Sequence, residues 1–537
     1  MRRRLSALLL GVGVFLGVVT TVGVTVLADP DPSPGDSPGR TVALRLLGVN
    51  DFHGNLEPPE SRVKFGTGRV PLGGAAALDA HLDRAADGFE GRAIRVHAGD
   101  MVGASPLVSS WFNDEPAIHA MNRIGFDVGT LGNHEFDEGA DEALRLVRGG
   151  QRRDGPRAET SDPNFGGADF PYTAANTVDA ETGELILPPY KIVERAGVKV
   201  GFIGVTTEST PTFLLKEHAS DYRWLDLSDT VNRYAAELRD RGVQAIVVLA
   251  HAGAFGSGGG TSGEIVDEAR EMDDEVDVIV AGHTHSHLNS RIDGKLIVES
   301  WAYGTGIDVI DIQVDRRSGE IESKKARTPR TWNDEVRPTA GLAALTAHYV
   351  HRVAPIAKRV VGTAGVPLED HAEDARGRLC DLVAAGQRAY AGTDFAVTNL
   401  GATRGSLDAG PVTFEELFQV HAYEHRLVRM ELTGAEVKTL LEQQWSSGQT
   451  VPLALSGLRY EVDAAHLVTQ LETDAGVPLE PDATYTLAAN ELIAGHGAFS
   501  VLYEGGRSRE LLGTDLEALT AWVERLPRGF DARSEPR

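Results

Sequence analysis

Five apolar, strand-like runs each end in side chains of the kinds that bind metals, and this recurrence is the strongest constraint on the fold. "TVALRLLGV" runs into "NDFHGN" with Asp51 and His53, "RAIRVHA" into Gly99 and Asp100, and "FDVGTL" into "GNHE" with Asn133 and His134. "AIVVLA" runs into His251, and "VDVIVA" into "GHTHSH" with His283 and His285. Helical stretches alternate with these runs from Thr41 onward, the pattern of a layered α/β domain. In sheets flanked by helices, ligands bind at the carboxyl ends of strands, so the five ends are expected to converge.

Asp51, His53, Asp100, Asn133, His251, His283 and His285 combine carboxylate or amide oxygen with imidazole nitrogen and contain no sulfur. Such a set suits Zn, Mn, Co, Ni or Fe(II) better than Ca or Mg. Seven ligands exceed one tetrahedral site. They suit two divalent ions about 3.5–4 Å apart that share a carboxylate, an arrangement that polarises a phosphoryl group and generates hydroxide at neutral pH. Glycines 54, 99, 132 and 282 fit turns that pass close to ions or substrate.

Size and charge narrow the class. The chain has 537 residues, 42% of them hydrophobic, enough for more than one core. Its net charge of -26 argues against a nucleic-acid polymer as partner, because neutralising phosphates requires clustered Lys and Arg. A small anion is compatible, since bound metal reverses the local field. Cys380 is the only cysteine, which excludes an intrachain disulfide and a thiolate cluster.

"MRRR" followed by the apolar run Leu5 to Ala28 reads as an export signal, so the expected location is extracytoplasmic. The run is long enough to remain as a membrane anchor at about 20 residues, and "VLA" offers a cleavage site; residues 1–28 are either a cleaved signal or an anchor. Residues 29–40 form a linker rich in Pro, Gly and Asp. The expected domains are then 41–330, a polar helical connector over 331–358, and a smaller α/β unit over 359–537. Oligomeric state is not read from the sequence.

The ordered motifs "NDFHGN", "GD", "GNHEFD", a lone His after a strand, and "GHTH" resemble those of calcineurin-like metallophosphoesterases. "GNHEFDEG" with a second α/β unit downstream resembles, more narrowly, the secreted 5'-nucleotidase family, which includes UDP-sugar hydrolases; the resemblance runs from about Leu46 to Leu502. It implies two packed sheets flanked by helices, and one metal held by Asp51, His53, Asp100 and His285. The other would be held by Asp100, Asn133, His251 and His283, with Asp100 bridging. His134 would stabilise charge on the phosphoryl oxygens, with Asp137 orienting its ring, and Glu135 would do less.

In the C-terminal unit the family's "NxGGxR" stands as "NLGATR", matching Asn399 and Arg404 to residues beside the phosphate or ribose. Two aromatics that sandwich a nucleobase fall on Tyr423 in "HAYEH" and Phe499 in "GAFSVL", whose flanks depart from the family's Pro-Phe-Gly and Asp-Gly-Phe. The implied activity is release of phosphate from nucleotides. UDP-sugar hydrolysis, cyclic-nucleotide hydrolysis and a non-nucleotide phosphoester remain alternatives, with a catalytically silent binding protein more distant. His97, His119 and His287 match no family ligand, and the Gly-rich "AGAFGSGGGTSGE" reads as an unstructured surface insertion.

Overall fold

All five runs are strands, and they lie in two different sheets. The computed structural model describes residues 39–59, 71–257, 260–369, 377–421, 423–445, 450–495 and 497–536. The expected signal or anchor and most of the linker after it lie outside these residues.

The first sheet has the order Ile321–Arg327, Asp308–Asp315, Thr41–Val49, Ala93–His97, Val128–Thr130, Tyr172–Thr173. Thr41–Val49, Ala93–His97, Val128–Thr130 and Tyr172–Thr173 are mutually parallel, so the turns after the first three open at one end. The second sheet runs His287–Ile292, Lys295–Ser300, Val278–Ala281, Ala245–His251, Val198–Thr206, Tyr190–Arg195. Here too the central strands are parallel. Strands covered on both faces read as continuous apolar runs. Ala245–His251 is buried at every position.

Leu44, Leu46, Ile94 and Val96 of the first sheet share one core with Phe202, Val247, Leu249 and Val280 of the second. The outer face of the second sheet packs on helices Leu227–Asp240 and Glu264–Glu271 through Val231, Leu238, Ile265 and Val266. Helices Ala75–Ala86 and Glu115–Ile124 cover the first sheet. The expected layered α/β domain with two helix-flanked sheets is therefore present.

The connector is a packed helix rather than a free spacer. Ala340–Ala357 buries Leu342, Tyr349, Val353 and Ala357 on one stripe, in the same core as Leu78, Met121 and the C-terminal unit's Leu417 and Phe418. The smaller unit centres on a five-stranded sheet, ordered Leu453–Ser456, Phe395–Asn399, Thr484–Asn490, Arg426–Thr433, Arg507–Thr514. Three of its helices begin with a Thr whose hydroxyl accepts an amide while a Glu three residues on accepts the Thr amide: Thr413 with Glu416, Thr433 with Glu436, Thr514 with Glu517.

One expectation is corrected. The Gly-rich segment after His251 is not structureless, because Phe255–Ser257 pairs antiparallel with Gly260–Ser262.

Candidate functional site

Backbone conformation, before any side chain, marks the strand ends as unusual. Asp51 (φ 50), His53 (φ 47), Asp100 (φ 52), His283 (φ 81) and His285 (φ 53) are all left-handed, a region that costs non-glycine residues energy. Glycines make room between these turns. A Cβ on Gly132 would lie 2.1 Å from Asp100 Oδ1, and one on Gly99 would lie 2.6 Å from the Gly132 amide nitrogen.

The turns bring all seven expected ligands together. His285 Nε2 lies 3.1 Å from His53 Nε2 and 3.3 Å from Asp51 Oδ1. Beside them, Asn133 Oδ1 is 3.0 Å from His251 Nε2 and 2.9 Å from His283 Nδ1. Asp51, His53 and His285 can converge on one ion, and Asp100, His251 and His283 on another. Asp100 Oδ2 stands between the groups, 3.6 Å from His53 Nε2 and 3.1 Å from His251 Nε2.

The donor set fits cations. Nδ1 of His53 donates to the Gly103 carbonyl and Nδ1 of His251 to the Ala98 carbonyl, both at 2.8 Å, so each Nε2 is aimed into the cluster. Asp100 Oδ2 is buried and makes no hydrogen bond among the described residues. Burial would push the His251 proton off, but Asp100 and Asp51 hold it up to about 10. The pocket thus demands positive charge, which a divalent cation would supply in place of that proton.

His134 opens the one-turn 3₁₀ segment His134–Phe136, and Asp137 follows it. His134 Nδ1 lies 2.8 Å from Asp137 Oδ2, and the His134 amide donates to Asp100 Oδ1 at 2.9 Å. Burial lowers the imidazole's proton affinity, yet Asp137 and Asp100 raise it above its ordinary value. A Cβ on Gly103 would lie 2.5 Å from the His134 carbonyl oxygen, so only glycine lets this turn pack there.

Two buried glutamates support the ligand loops. Glu135, expected to do little, accepts the amides of Asp100 (3.0 Å), Met101 (2.8 Å) and Gly132 (2.5 Å), tying two ligand turns to one carboxylate. Glu299 accepts Thr284 Oγ1 at 2.8 Å and the Ser286 amide at 3.0 Å, bracing the loop that carries His283 and His285. Its carboxyl is pushed up to about 8 by burial and by Asp51. The sequence signal for Glu135 was its place inside "GNHEFDEG"; Glu299 has no local signal.

The C-terminal residues are arranged otherwise than expected. Tyr423 lies parallel to His134 with ring centroids 5.6 Å apart, and the His425 ring is also parallel to it at 5.4 Å. The Arg404 guanidinium donates to the Tyr423 hydroxyl and sits 4.6 Å from the ring centroid. Asn399 accepts from Asn490 Nδ2 at 2.9 Å, within its own unit. Phe499 is fully buried with Leu432, Val437 and Leu502. No base sandwich by Tyr423 and Phe499 is presented, because Phe499 belongs to the core. His97 is likewise a core residue, edge-on to Phe126 and Phe170; His119 meets Tyr349 Oη at 3.1 Å, and His287 stacks on Trp301.

Fold and site together define a calcineurin-like phosphoesterase, and comparison with known proteins agrees: residues 44–287 match the calcineurin-like phosphoesterase family and residues 360–504 the 5'-nucleotidase C-terminal domain. The chain belongs to the metallophosphoesterase family that carries this second domain, the 5'-nucleotidase family. It is 36% identical over 463 residues to Endonuclease YhcR of Bacillus subtilis, covering 85% of this chain and 37% of that protein. It is 34% identical over 505 residues to Cell wall protein Lmo0130 of Listeria monocytogenes, covering 85% and 64%. The chain thus spans well under half of the first relative and under two thirds of the second. The 5'-nucleotidase precursor from Thermus thermophilus superposes with a TM-score of 0.71 at 27% identity, covering 90% of this chain and 96% of that one. No helix among the described residues is long and apolar enough to cross a membrane.

Proposed function

We propose that the chain is an exported two-metal phosphohydrolase that releases phosphate from nucleotides. The observation carrying this reading is Asp100, whose buried Oδ2 stands between two histidine clusters within 3.6 Å of each. One divalent ion, of Zn, Mn, Co, Ni or Fe, would be held by Asp51, His53, Asp100 and His285, and a second by Asp100, Asn133, His251 and His283. Bound there, the ions supply Lewis-acid polarisation of a phosphoryl group and lower the pKa of water.

The chain's own groups do the rest. Asp137 fixes the His134 ring through Nδ1, so a proton at Nε2 faces away from Asp137 and is available to a developing negative charge. Asp137 and Asp100 raise the proton affinity of His134 against its burial, which favours that donor. Arg404, beside Tyr423, adds a positive group on the C-terminal side and suits phosphate oxygens. UDP-sugars, cyclic nucleotides and non-nucleotide phosphoesters are the alternatives that one site of this kind accepts. A silent binding protein is disfavoured, since every ligand-type side chain and His134 are in place. Export is supported by the basic and apolar first 28 residues and by a relative named a cell wall protein.

Metal analysis and a substrate panel on reconstituted protein test the reading. Two ions per active chain are expected, with phosphate release from nucleoside monophosphates, and Asp100→Asn should lose at least one ion together with activity. One ion or none in fully active wild type would refute the two-metal reading.

A further inference from the structure

Of the two expected base-binding aromatics Phe499 lies in the core, whereas one aromatic of the phosphoesterase domain stands exposed beside the site. Phe213 is 44% exposed. Single exposed apolar residues are ordinary on protein surfaces, so exposure alone means little. Position sets this one apart. The ring stands edge-on to the ligand His283 with centroids 5.3 Å apart, and it lines a cavity of about 730 Å³ that His134, Asp137 and Tyr423 also line.

The ring is also held in place. Phe213 ends the 3₁₀ turn Thr210–Thr212, its amide donating to the Thr210 carbonyl at 3.0 Å, and the next side chain, Leu214, is 1% exposed. Upstream, the Thr207 amide donates to the His251 carbonyl at 2.9 Å, while Thr207 Oγ1 lies 2.7 Å from Glu264 Oε1. The turn is therefore tied to the strand that ends in a metal ligand. An exposed aromatic held on a braced turn beside the reacting centre recognises flat groups at small entropic cost.

We infer that Phe213 is a specificity-determining residue that stacks on the planar leaving group of the substrate, in place of a C-terminal aromatic pair. The inference rests on the reading of the site as a nucleotide phosphohydrolase. The chemical class it selects is a phosphoester whose alcohol carries a flat ring one sugar away, as a nucleoside monophosphate does.

Equilibrium binding tests it. A nucleoside 5'-methylenephosphonate, which resists hydrolysis, and the ringless propylphosphonate are titrated into the manganese-loaded full chain by calorimetry. Phe213→Ala should weaken the nucleoside analogue about 5- to 100-fold relative to propylphosphonate, the range for one lost base stack, and Phe213→Tyr should restore it. Equal weakening of both ligands would mean that the ring only shields His283, and would overturn the inference. So would an unchanged ratio, or a wild type that binds the nucleoside analogue no better than propylphosphonate. The underlying reading is judged separately, by release of phosphate from a nucleoside monophosphate by the wild type and by Phe213→Ala at saturating substrate: no release by the wild type overturns that reading, and a kcat kept in the variant leaves it standing whatever the binding ratio.

Discussion

The carboxylate of Glu135 accepts the amide of Asp100 at 3.0 Å, so the proposed bridging ligand is set from behind by a residue 35 positions away. The same carboxylate accepts the Gly132 amide at the start of the Asn133 turn. Glu135→Gln keeps the shape but turns an NH2 donor toward at least one of the three amides, since Oε2 accepts from Asp100 and Gly132 and Oε1 from Met101. It is expected to weaken metal binding roughly 10- to 100-fold, as for other residues that orient ligands, and to cost about 1–3 kcal/mol of stability. Metal titration followed by chelator competition measures the first, and urea unfolding the second. Unchanged affinity would show that the two turns hold their spacing without it.

His134 and Asp137 are expected to separate by degree. His134→Ala should keep both ions and lower kcat by roughly 10²–10³, the range for losing one positioned electrostatic donor. Asp137→Asn should lower it less, since Asp137 orients the ring through Nδ1 at 2.8 Å. Ion loss in the His134 variant would make that residue structural. A larger effect at Asp137 than at His134 would reverse the assignment.

Across the two domains, Arg157 and Glu424 meet at 2.5 Å with both side chains mostly buried, and both have a left-handed backbone. Glu424 follows Tyr423, so the pair holds the Tyr423 ring against His134. The separate losses of stability in Arg157→Ala and Glu424→Ala should sum to more than the loss in the double variant, because Arg157→Ala alone strands a partly buried carboxylate. A coupling of about 1–3 kcal/mol in thermal unfolding is expected, and additive effects would show that the pair is screened.

Glu436 gives a pH-dependent prediction. Arg507, at 2.7 Å, together with the Thr433 amide and hydroxyl, holds its carboxyl down to about 2 against some burial. A depressed folded pKa contributes stability that is present above the ordinary value of 4.5 and is lost as pH falls toward 2. Glu436→Gln should therefore cost roughly 1 kcal/mol at pH 7, a figure kept small because the pair is half-exposed. The gap to wild type in urea midpoint should narrow below pH 4.5. A gap unchanged down to pH 3 would assign the effect to the cap's shape rather than its charge.

The seven expected ligand positions could be singled out because each sits within a few residues of a strand end, so a local pattern of apolar run and polar turn announces it. What lies behind them was not readable. Glu299 braces the His283 loop from a neighbouring strand, and only the pairing of His287–Ile292 with Lys295–Ser300 brings it there. Phe499 looked like a binding aromatic by its place after "GHGA", yet it opens the helix Ser500–Gly505 and faces the sheet, where packing outweighs motif position. Tyr423 was singled out by its place in "HAYEH", but its two imidazole neighbours come from different domains, a juxtaposition no local signal carries. Phe213 lies in a short turn without periodicity, so nothing in its flanks distinguished it.

The left-handed ligands have a consequence for how the site tolerates change. At Asp51, His53, Asp100, His283 and His285 the fold holds backbone that glycine would adopt freely. Replacing any of them by Ala removes the ligand and keeps the strain, whereas Gly removes both, so at each position the Gly variant should outlast the Ala variant on heating. The difference between the two isolates what the backbone gives up from what the metal gives back. A lineage selected for sturdiness alone would lose this centre one glycine at a time, and its persistence would then report continued use of the ions.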